Sequence, residues 1–361
     1  MTHKITERSP SEVIREAKPL PMSKLSDNFF EERVARVSGK LVMFNDELIK
    51  NFPIKKEDIE KNLSVFVDWK GKNVSEKDII TNMLGLLEHG RSLSFNLKFA
   101  DVYGNVYNYV EVKGVGMPQK SIHAGEQPVE KHGQTIWGLM NLENAKADWE
   151  ASNLFIKNGI KTSAPIAIIE IKEVIMADGE KVGVEELKKR KIIPESFQPV
   201  LYVRGFSELM RVDEAEKEDF EKFAAQRGMS IRGYTLWWVE RQANNLARIH
   251  NLNKSHGHLI PQNLTLDAGM VDNSTVVNSS KFSRLHDITV MLNSVSSFSK
   301  SIGENETEMQ KLFLTTYMEK REVGKEEFQA LLSQLKKGEK PELFSLVTEI
   351  YKNKFSENFS L

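Results

Sequence analysis

The stretch from His256 to Asp272, HGHLIPQNLTLDAGMVD, combines imidazoles, an amide and a carboxylate at spacings that suit a metal-bound phosphate. Leu264, Thr265 and Leu266 suit a short strand, Asp267-Ala268-Gly269 supplies turn residues, and Met270-Val271 starts a return strand ending on Asp272. In such a hairpin Asn263 and Asp272 stand side by side at the open end. Cross-strand neighbours lie about 5 Å apart, and one Mg²⁺ with oxygen ligands at about 2.1 Å can bridge them while keeping its waters and binding phosphates. His250, His256 and His258 with Asp272 are a second metal grouping, but they lack H-E-x-x-H spacing, and hydrogen bonding of two of these histidines to the loop backbone is the plainer reading.

Composition narrows the chemistry. The chain has 361 residues, 40% of them hydrophobic and 28% charged, enough for a large core or two lobes. Fifty Lys and Arg against 51 Asp and Glu leave a net charge of -1, so no global basic excess points to nucleic acid. With no cysteine, thiol nucleophiles, disulfides and Cys-based zinc or iron–sulfur sites are excluded. The charged N-terminus has no apolar signal segment and no window is long and apolar enough for a membrane span, so a cytoplasmic protein without membrane or nucleic-acid partners is expected. No GxxxxGK[ST], complete GxGxxG or GxSxG motif occurs, which argues against P-loop, Rossmann and Ser-hydrolase chemistry.

The elements that must position this loop follow from periodicity. Residues 1–60 read as an N-terminal extension, 61–206 as a strand-rich N-lobe and 207–361 as a helical C-lobe carrying the loop 256–272. A helix is expected over 76–88 and a hairpin over 93–113, ending on Lys113; an 18-residue loop follows from Met117, then a helix over 139–157 that offers Glu143, Asp148 and Glu150. Strands are expected near 160–171 and 199–206, a small hairpin turning at 177–179, and helices over 184–191, 213–227, 230–251 and, as three amphipathic segments, 306–354. Strands followed by helices give an α+β chain of two lobes, with a ligand cleft between lobes as the default site.

The succession Gly90-Arg91, hairpin, Lys113, acidic helix, strand, helices, His256 loop and Asp272 is the order of a protein-kinase-like fold. His256 to Asn263 also has the spacing of the kinase loop H-R-D-x-x-x-x-N, with His258 where the base Asp stands. More closely, the chain resembles a divergent, shortened relative of the selenoprotein O family, kinase-fold protein adenylyltransferases. Glu88-His89-Gly90-Arg91 resembles its G-D-G-R turn, Val112-Lys113-Gly114-Val115-Gly116 its L-K-G-A-G strand end, and Trp137-Gly138-Leu139 its D-G-R, of which Gly138 remains. Asp148 falls on the family's helix carboxylate, Arg204 and Arg211 on its arginines seven apart, and His256-Gly257 through Gln262-Asn263 to Asp272 on its H-G-x-x-N-T-D-N loop and metal Asp.

The resemblance covers roughly residues 88 to 275. It implies Mg²⁺-dependent, with Mn²⁺ as the alternative, binding of ATP in reversed polarity and transfer of AMP to hydroxyls of an acceptor protein. Gly90, Arg91, Lys113, Gly138, Arg204 and Arg211 would bind ATP, Asn263 and Asp272 would hold the metal, and Lys113, Asp148, Asn263 and Asp272 would form the catalytic set. Three departures are visible: the family's base Asp is Gln262, the D-G-R arginine is Leu139, and the C-terminal redox tail is absent. With Gln262 unable to take a proton, His258, Asp267 or a substrate group would have to serve. The alternatives are a nucleotide-binding pseudokinase acting as an interaction protein and a kinase transferring the γ-phosphate.

Overall fold

The structure is a computed structural model that describes residues 29–50, 52–74, 82–321, 324–337 and 341–355. The chain divides into two compact units, Met1–Asn153 with Ser163–Glu208, and Leu154–Thr162 with Leu209–Leu361. It is α+β: the first unit is rich in antiparallel sheet and the second is helical.

In the first unit the chain runs through β1 (Phe29–Arg36), β2 (Gly39–Phe44), α1 (Lys56–Leu63), β3 (Val65–Val67), β4 (Asn82–Leu86), β5 (Ser92–Ala100) and β6 (Val106–Lys113). A small hairpin, β7 (Glu130–His132) and β8 (Thr135–Trp137), then leads to β9 (Met140–Asn141) and α2 (Leu142–Lys157). Beyond α2 lie β10 (Ala164–Ile171), β11 (Glu173–Ile175), β12 (Lys181–Gly183), α3 (Val184–Lys189) and β13 (Pro199–Phe206). Nine strands form one sheet in the order β2-β10-β13-β6-β5-β4-β1-β3, with β9 on β13. Residues 29–44, within the stretch read as an extension, thus supply two of its strands. β10 and β13 read as nearly unbroken apolar runs because both faces are buried. Over one face α2 packs Ala145 and Trp149 against Ile168, Val200 and Tyr202, so the turn of α2 carrying Asp148 faces the sheet.

The helix expected over 76–88 is corrected by the structure. Residues 75–81 lie outside the described residues, and 82–86 form β4, paired with β1 through Phe29↔Leu86 and Phe30↔Gly85 and with β5 through Leu84↔Ser94. The apolar spacing of Met83, Leu84 and Leu86 fits a helix face equally well, but two neighbouring strands with open edges decide the matter. The other expected elements form close to their places, including β13 and the hairpin β5–β6.

The second unit contains α4 (Lys217–Gln226), α5 (Ile231–Asn251), a two-residue pair β14 (Lys254–Ser255) and β15 (Val277–Asn278), then α6 (Lys281–Ile302), α7 (Glu306–Lys320), α8 (Lys325–Lys337) and α9 (Pro341–Phe355). Ser230, Ser280 and Asn305 cap α5, α6 and α7 by accepting backbone N–H groups at 2.9–3.1 Å. Trp238 of α5 stacks on Phe298 of α6 at 4.0 Å, and Phe220 of α4 meets Phe298 edge-on at 5.4 Å. Trp238, fully buried, is therefore part of the packing between α5 and α6. No helix among the described residues is long and apolar enough to cross a membrane.

Candidate functional site

In the first unit, β4, β5 and β6 form a meander whose third strand ends on Lys113. Its rung is Ser92–Lys113–Tyr202 across β5, β6 and β13. Lys113 is 8% exposed, so this strand end carries a lysine held largely out of water. The Arg91 carbonyl accepts the Gly114 N–H at 2.8 Å, and Arg91 Nη1 donates to the Leu139 carbonyl at 2.7 Å. The Gly90-Arg91 turn is thereby tied both to the lysine's strand end and to the segment after Gly138. Leu139, where the resembled motif has an arginine, is fully buried and contributes that carbonyl. Gly138 has a backbone reason of its own: its φ is +87°, and an added Cβ would lie 2.1 Å from the Pro128 carbonyl oxygen.

A buried polar cluster lies on the same rungs. Alternation places Glu111 on the Lys113 face of β6, opposite Arg204 of β13. Arg204 donates to Glu111 Oε1 from Nη2 at 2.5 Å and from Nε at 3.0 Å, and its Nη1 is 3.8 Å from Asp148 Oδ2. Asp148 Oδ1 accepts from Tyr202 OH at 2.9 Å and Ser152 Oγ at 3.1 Å. Burial, then the Asp148 charge, push the Tyr202 hydroxyl well above its usual pKa, so it remains a donor. Of the three carboxylates offered by α2, only Asp148 is buried; Glu143 and Glu150 are exposed. Glu111, Tyr202 and Ser152 were not singled out from sequence, though Glu111 could have been read from its two-residue offset from Lys113.

The turn Gly90-Arg91 and the hairpin β7–β8 also line a cavity of about 300 Å³, to which Met117, His123, Trp137 and Gly138 contribute. Three residues expected to bind nucleotide, Gly90, Arg91 and Gly138, thus share one concave surface.

In the second unit the expected hairpin forms in miniature. Leu264 pairs with Met270, the Thr265 N–H donates to Gly269 O at 3.0 Å, and Ala268 takes the left-handed turn conformation at φ +63°. Val271 N–H donates to the Asn263 carbonyl at 3.0 Å, so the residue opposite Asn263 is Val271, and Asp272 follows it in a left-handed conformation at φ 59°. Asn263 and Asp272 are therefore one residue out of register at the open end rather than a facing pair. Asn263 Nδ2 donates to the His258 carbonyl at 2.8 Å, which fixes the amide and turns Oδ1 to the other side. Asp272 is half-buried.

Helix α5 grips this hairpin from one stripe. Tyr234 OH, Trp238 Nε1 and Asn245 Nδ2 donate to the carbonyls of Leu266, Thr265 and Ala268 at 2.7, 3.0 and 3.0 Å. Arg211 bridges Thr265, and its Nη1 donates to the Gln262 carbonyl at 3.1 Å. The Gln262 side chain is exposed. Asp267, a candidate proton acceptor by sequence, is buried between Lys161 Nζ and Thr265 Oγ1, each at 2.6 Å, and so is structural.

The histidines divide by environment. His250 is fully buried, with Nδ1 2.7 Å from Tyr317 OH and Nε2 3.2 Å from Asp287 Oδ2. Burial lowers its pKa, against the pull of Asp287. Asp287 also accepts the N–H groups of His256 and Gly257, each at 2.8 Å. His256 is fully buried, its Nε2 3.1 Å from Asn273 Oδ1, and Asn273 Nδ2 donates to Thr162 Oγ1 at 2.7 Å. His258 is exposed. The partners of His250 and of the His256 ring are thus side chains rather than loop backbone, apart from a long 3.4 Å contact with the His258 N–H. Among the described residues no three His, Asp or Glu side chains converge as a metal cluster.

A meander ending in a lysine, a helix carrying a buried carboxylate, and a later loop with the H-to-N spacing and an Asp follow one another along the chain in the order expected from the sequence. No protein-family model matches the sequence, and no curated protein matches it. Among solved structures, the chain is similar to ROP2 from Toxoplasma gondii, a virulence factor with a protein-kinase fold and no enzymatic activity, at 10% identity and TM-score 0.36, covering 95% of this chain and 99% of that one. The ROP18 kinase domain in complex with AMP-PNP and sucrose gives 10% identity and TM-score 0.36, covering 97% and 98%. A Toxoplasma gondii specific rhoptry antigen kinase domain gives 11% identity and TM-score 0.34, covering 91% and 98%.

Proposed function

We propose that this chain is a Mg-ATP-dependent protein adenylyltransferase of the selenoprotein O type, transferring AMP to hydroxyls of an acceptor protein. The observation that carries the reading is the open end of the 264–270 hairpin. There the Asn263 amide is fixed by its bond to the His258 carbonyl and a half-buried Asp272 follows one residue past its rung partner. One amide oxygen and one carboxylate suit Mg²⁺ or Mn²⁺, which take hard oxygen ligands and keep several waters for phosphates. Bound there, the metal would neutralise charge on the phosphates. In this reading Arg211, whose backbone bridges Thr265 of the hairpin, would take further phosphate charge; Lys113, Arg91 and Arg204 keep the phosphate-binding roles the resemblance implies, Arg204 only by giving up its bond to Glu111.

In the transfer, an acceptor hydroxyl oxygen bonds to the α-phosphorus, the α–β P–O bond breaks, and pyrophosphate leaves. The hydroxyl proton needs an acceptor other than Gln262 or the ion-paired Asp267, and the exposed His258 imidazole is the group of this loop able to take it. Positioning and electrostatics supply most of the acceleration in phosphoryl-type transfer, so Asp-to-Gln replacement leaves a reduced rate.

A second reading, a nucleotide-binding interaction protein without transfer, is favoured by that same exposed Gln262. The test is incubation with Mg²⁺ or Mn²⁺ and ATP labelled on the α- or the γ-phosphate, with an acceptor protein extract. Retention of α-label alone supports AMP transfer, and Lys113→Ala and Asp272→Ala should each abolish it. Retention of γ-label alone would make the protein a kinase. No retained label with an ATP-induced rise in melting temperature would leave the binding-only reading.

A further inference from the structure

Phe282, the second residue of α6, is 81% exposed, more than any other large apolar side chain among the described residues, and Val277 on β15 is 53% exposed. A lone exposed apolar side chain is ordinary on a protein surface. These two share one short connection, and that connection is held firmly. The Ser279 N–H donates to the Asn253 carbonyl at 2.8 Å, and Ser279 Oγ accepts from Arg284 Nη1 at 2.8 Å. Ser280 and Ser283 close the start of α6 as a capping box. An apolar corner fixed in this way gives up little conformational freedom when a partner covers it.

The corner adjoins the loop to which the transfer chemistry is assigned above. Val277 pairs with Ser255 across β14–β15, directly before His256, and Thr275 Oγ1 donates to the His256 carbonyl at 2.7 Å. A chain segment seated on Val277 and Phe282 therefore lies along the two short strands that enter and leave the loop 256–272.

Charge selects the kind of segment. No Asp or Glu occurs between Glu240 and Asp267, and none between Asp272 and Asp287. Asp267 is ion-paired with Lys161 at 2.6 Å, and Asp287 is fully buried on backbone amides. Glu327, which reaches this end of α6, is taken up by Arg284 at 3.2 Å and Arg321 at 3.7 Å. Lys281 is exposed next to Phe282, and Lys254 Nζ donates to the neutral Asn278 Oδ1 at 2.7 Å. The rim is thus basic around an apolar centre, and its complement is an apolar side chain flanked by carboxylates. From these observations we infer that the β15–α6 corner docks the acceptor protein through a segment of that chemistry, a large apolar residue set among Asp and Glu. Naming the partner as the acceptor rests on the AMP-transfer reading above; the docking itself does not.

The experiment has a binding arm and a transfer arm, both with the full chain. In the first, fluorescence anisotropy follows a fluorescein-labelled peptide with a central Phe-Leu pair flanked by Asp and Glu. Two control peptides carry the same flanks around Ser-Gly, or the same centre flanked by Lys. Wild type should bind the acidic apolar peptide and neither control. Phe282→Ser should bind it about 10- to 100-fold more weakly, the range for losing one large buried apolar side chain. Lys281→Glu should weaken it about 2- to 10-fold at low salt, a difference that shrinks as ionic strength rises. Both positions are exposed, and urea midpoints at the wild-type value show the variants to be folded. In the second arm, Phe282→Ser should lose transfer of α-label to proteins of the extract while keeping the ATP-induced rise in melting temperature. A wild-type chain that binds none of the peptides or all three alike, or undiminished binding by Phe282→Ser, overturns the docking surface. Equal α-label transfer by wild type and Phe282→Ser overturns its role toward the acceptor. A wild-type dimer in light scattering that Phe282→Ser dissociates gives the corner to a second copy of the chain and overturns it as well. Peptide binding as expected, with no α-label transferred by wild type, upholds the docking and removes the AMP-transfer reading alone.

Discussion

Asp287 offers the sharpest test of how the His256 loop is held. Its carboxylate, fully buried on α6, accepts the His256 and Gly257 N–H groups, each at 2.8 Å, and faces His250 Nε2 at 3.2 Å. Asp287→Ala leaves one buried and one half-buried backbone donor without their acceptor. Hydrogen bonds to a charged group contribute about 1.5–3 kcal/mol each, so the two amides alone set the loss at roughly 3–6 kcal/mol. Removal of the carboxylate also relieves its own desolvation, which brings the expected net loss to about 3–5 kcal/mol. Against a total stability of about 5–15 kcal/mol that is a large fraction. Asp287→Asn keeps one acceptor oxygen but turns an NH₂ toward the second amide, and should lose about half as much. Urea unfolding followed by tryptophan fluorescence gives the free energies, and native-state amide exchange at His256 and Gly257 reports the bonds directly. A loss below about 1 kcal/mol, with exchange at both amides unchanged, would refute the claim that Asp287 anchors the loop.

His250 makes stability depend on pH. Burial lowers its folded pKa, so the unfolded chain binds the proton more readily; stability from this group is full above the unfolded value of about 6.5 and falls as pH drops through it toward the folded pKa. The slope is at most about 1.4 kcal/mol per pH unit, and His250→Gln should flatten the decline in urea midpoint below that pH; parallel profiles would count against it. For the buried Arg204–Glu111 pair, Glu111→Leu and Arg204→Met should each cost about 3–5 kcal/mol, and the double variant at least about 2 kcal/mol less than their sum; strict additivity in thermal melts would contradict the pairing. Gly138→Ala forces a Cβ to 2.1 Å from Pro128 O at φ +87° and should cost about 2–4 kcal/mol, so a variant within about 0.5 kcal/mol of wild type would show that this turn is not as tight as drawn.

The parts of the fold legible in the sequence are those whose signal is local. β5 and β6 announce themselves by alternation and a Gly-containing turn, α5 by its stripe of Tyr234, Trp238, Leu246 and Ile249, and the hairpin after Asn263 by Asp267-Ala268-Gly269. β4 was illegible because its residues fit either period, and what makes it a strand is the pair of edges offered by β1 and β5, one of them some fifty residues upstream in the chain. The one-residue offset between Asn263 and Asp272 is illegible for a related reason. Register depends on which carbonyl the return strand addresses, and the turn residues alone do not specify that within one residue.

The site shows the same division in its chemistry. Residues that carry an unusual group at a telling spacing, Lys113 at a strand end or Asn263 nine before Asp272, can be picked out one at a time. Their partners cannot, because a partner is defined by what lies across from it. Glu111 becomes significant only once β13 sets Arg204 against it, and Asp287, one acid among many, only once α6 brings it under the His256 and Gly257 amides. The same logic explains Asp267, which looked available for proton transfer until Lys161 and Thr265 were found on it at 2.6 Å. A titratable side chain in a loop is open to chemistry only to the extent that the fold leaves its atoms unspent. By that criterion His258, exposed and eight residues past the buried His250, is the proton acceptor to test first on this loop.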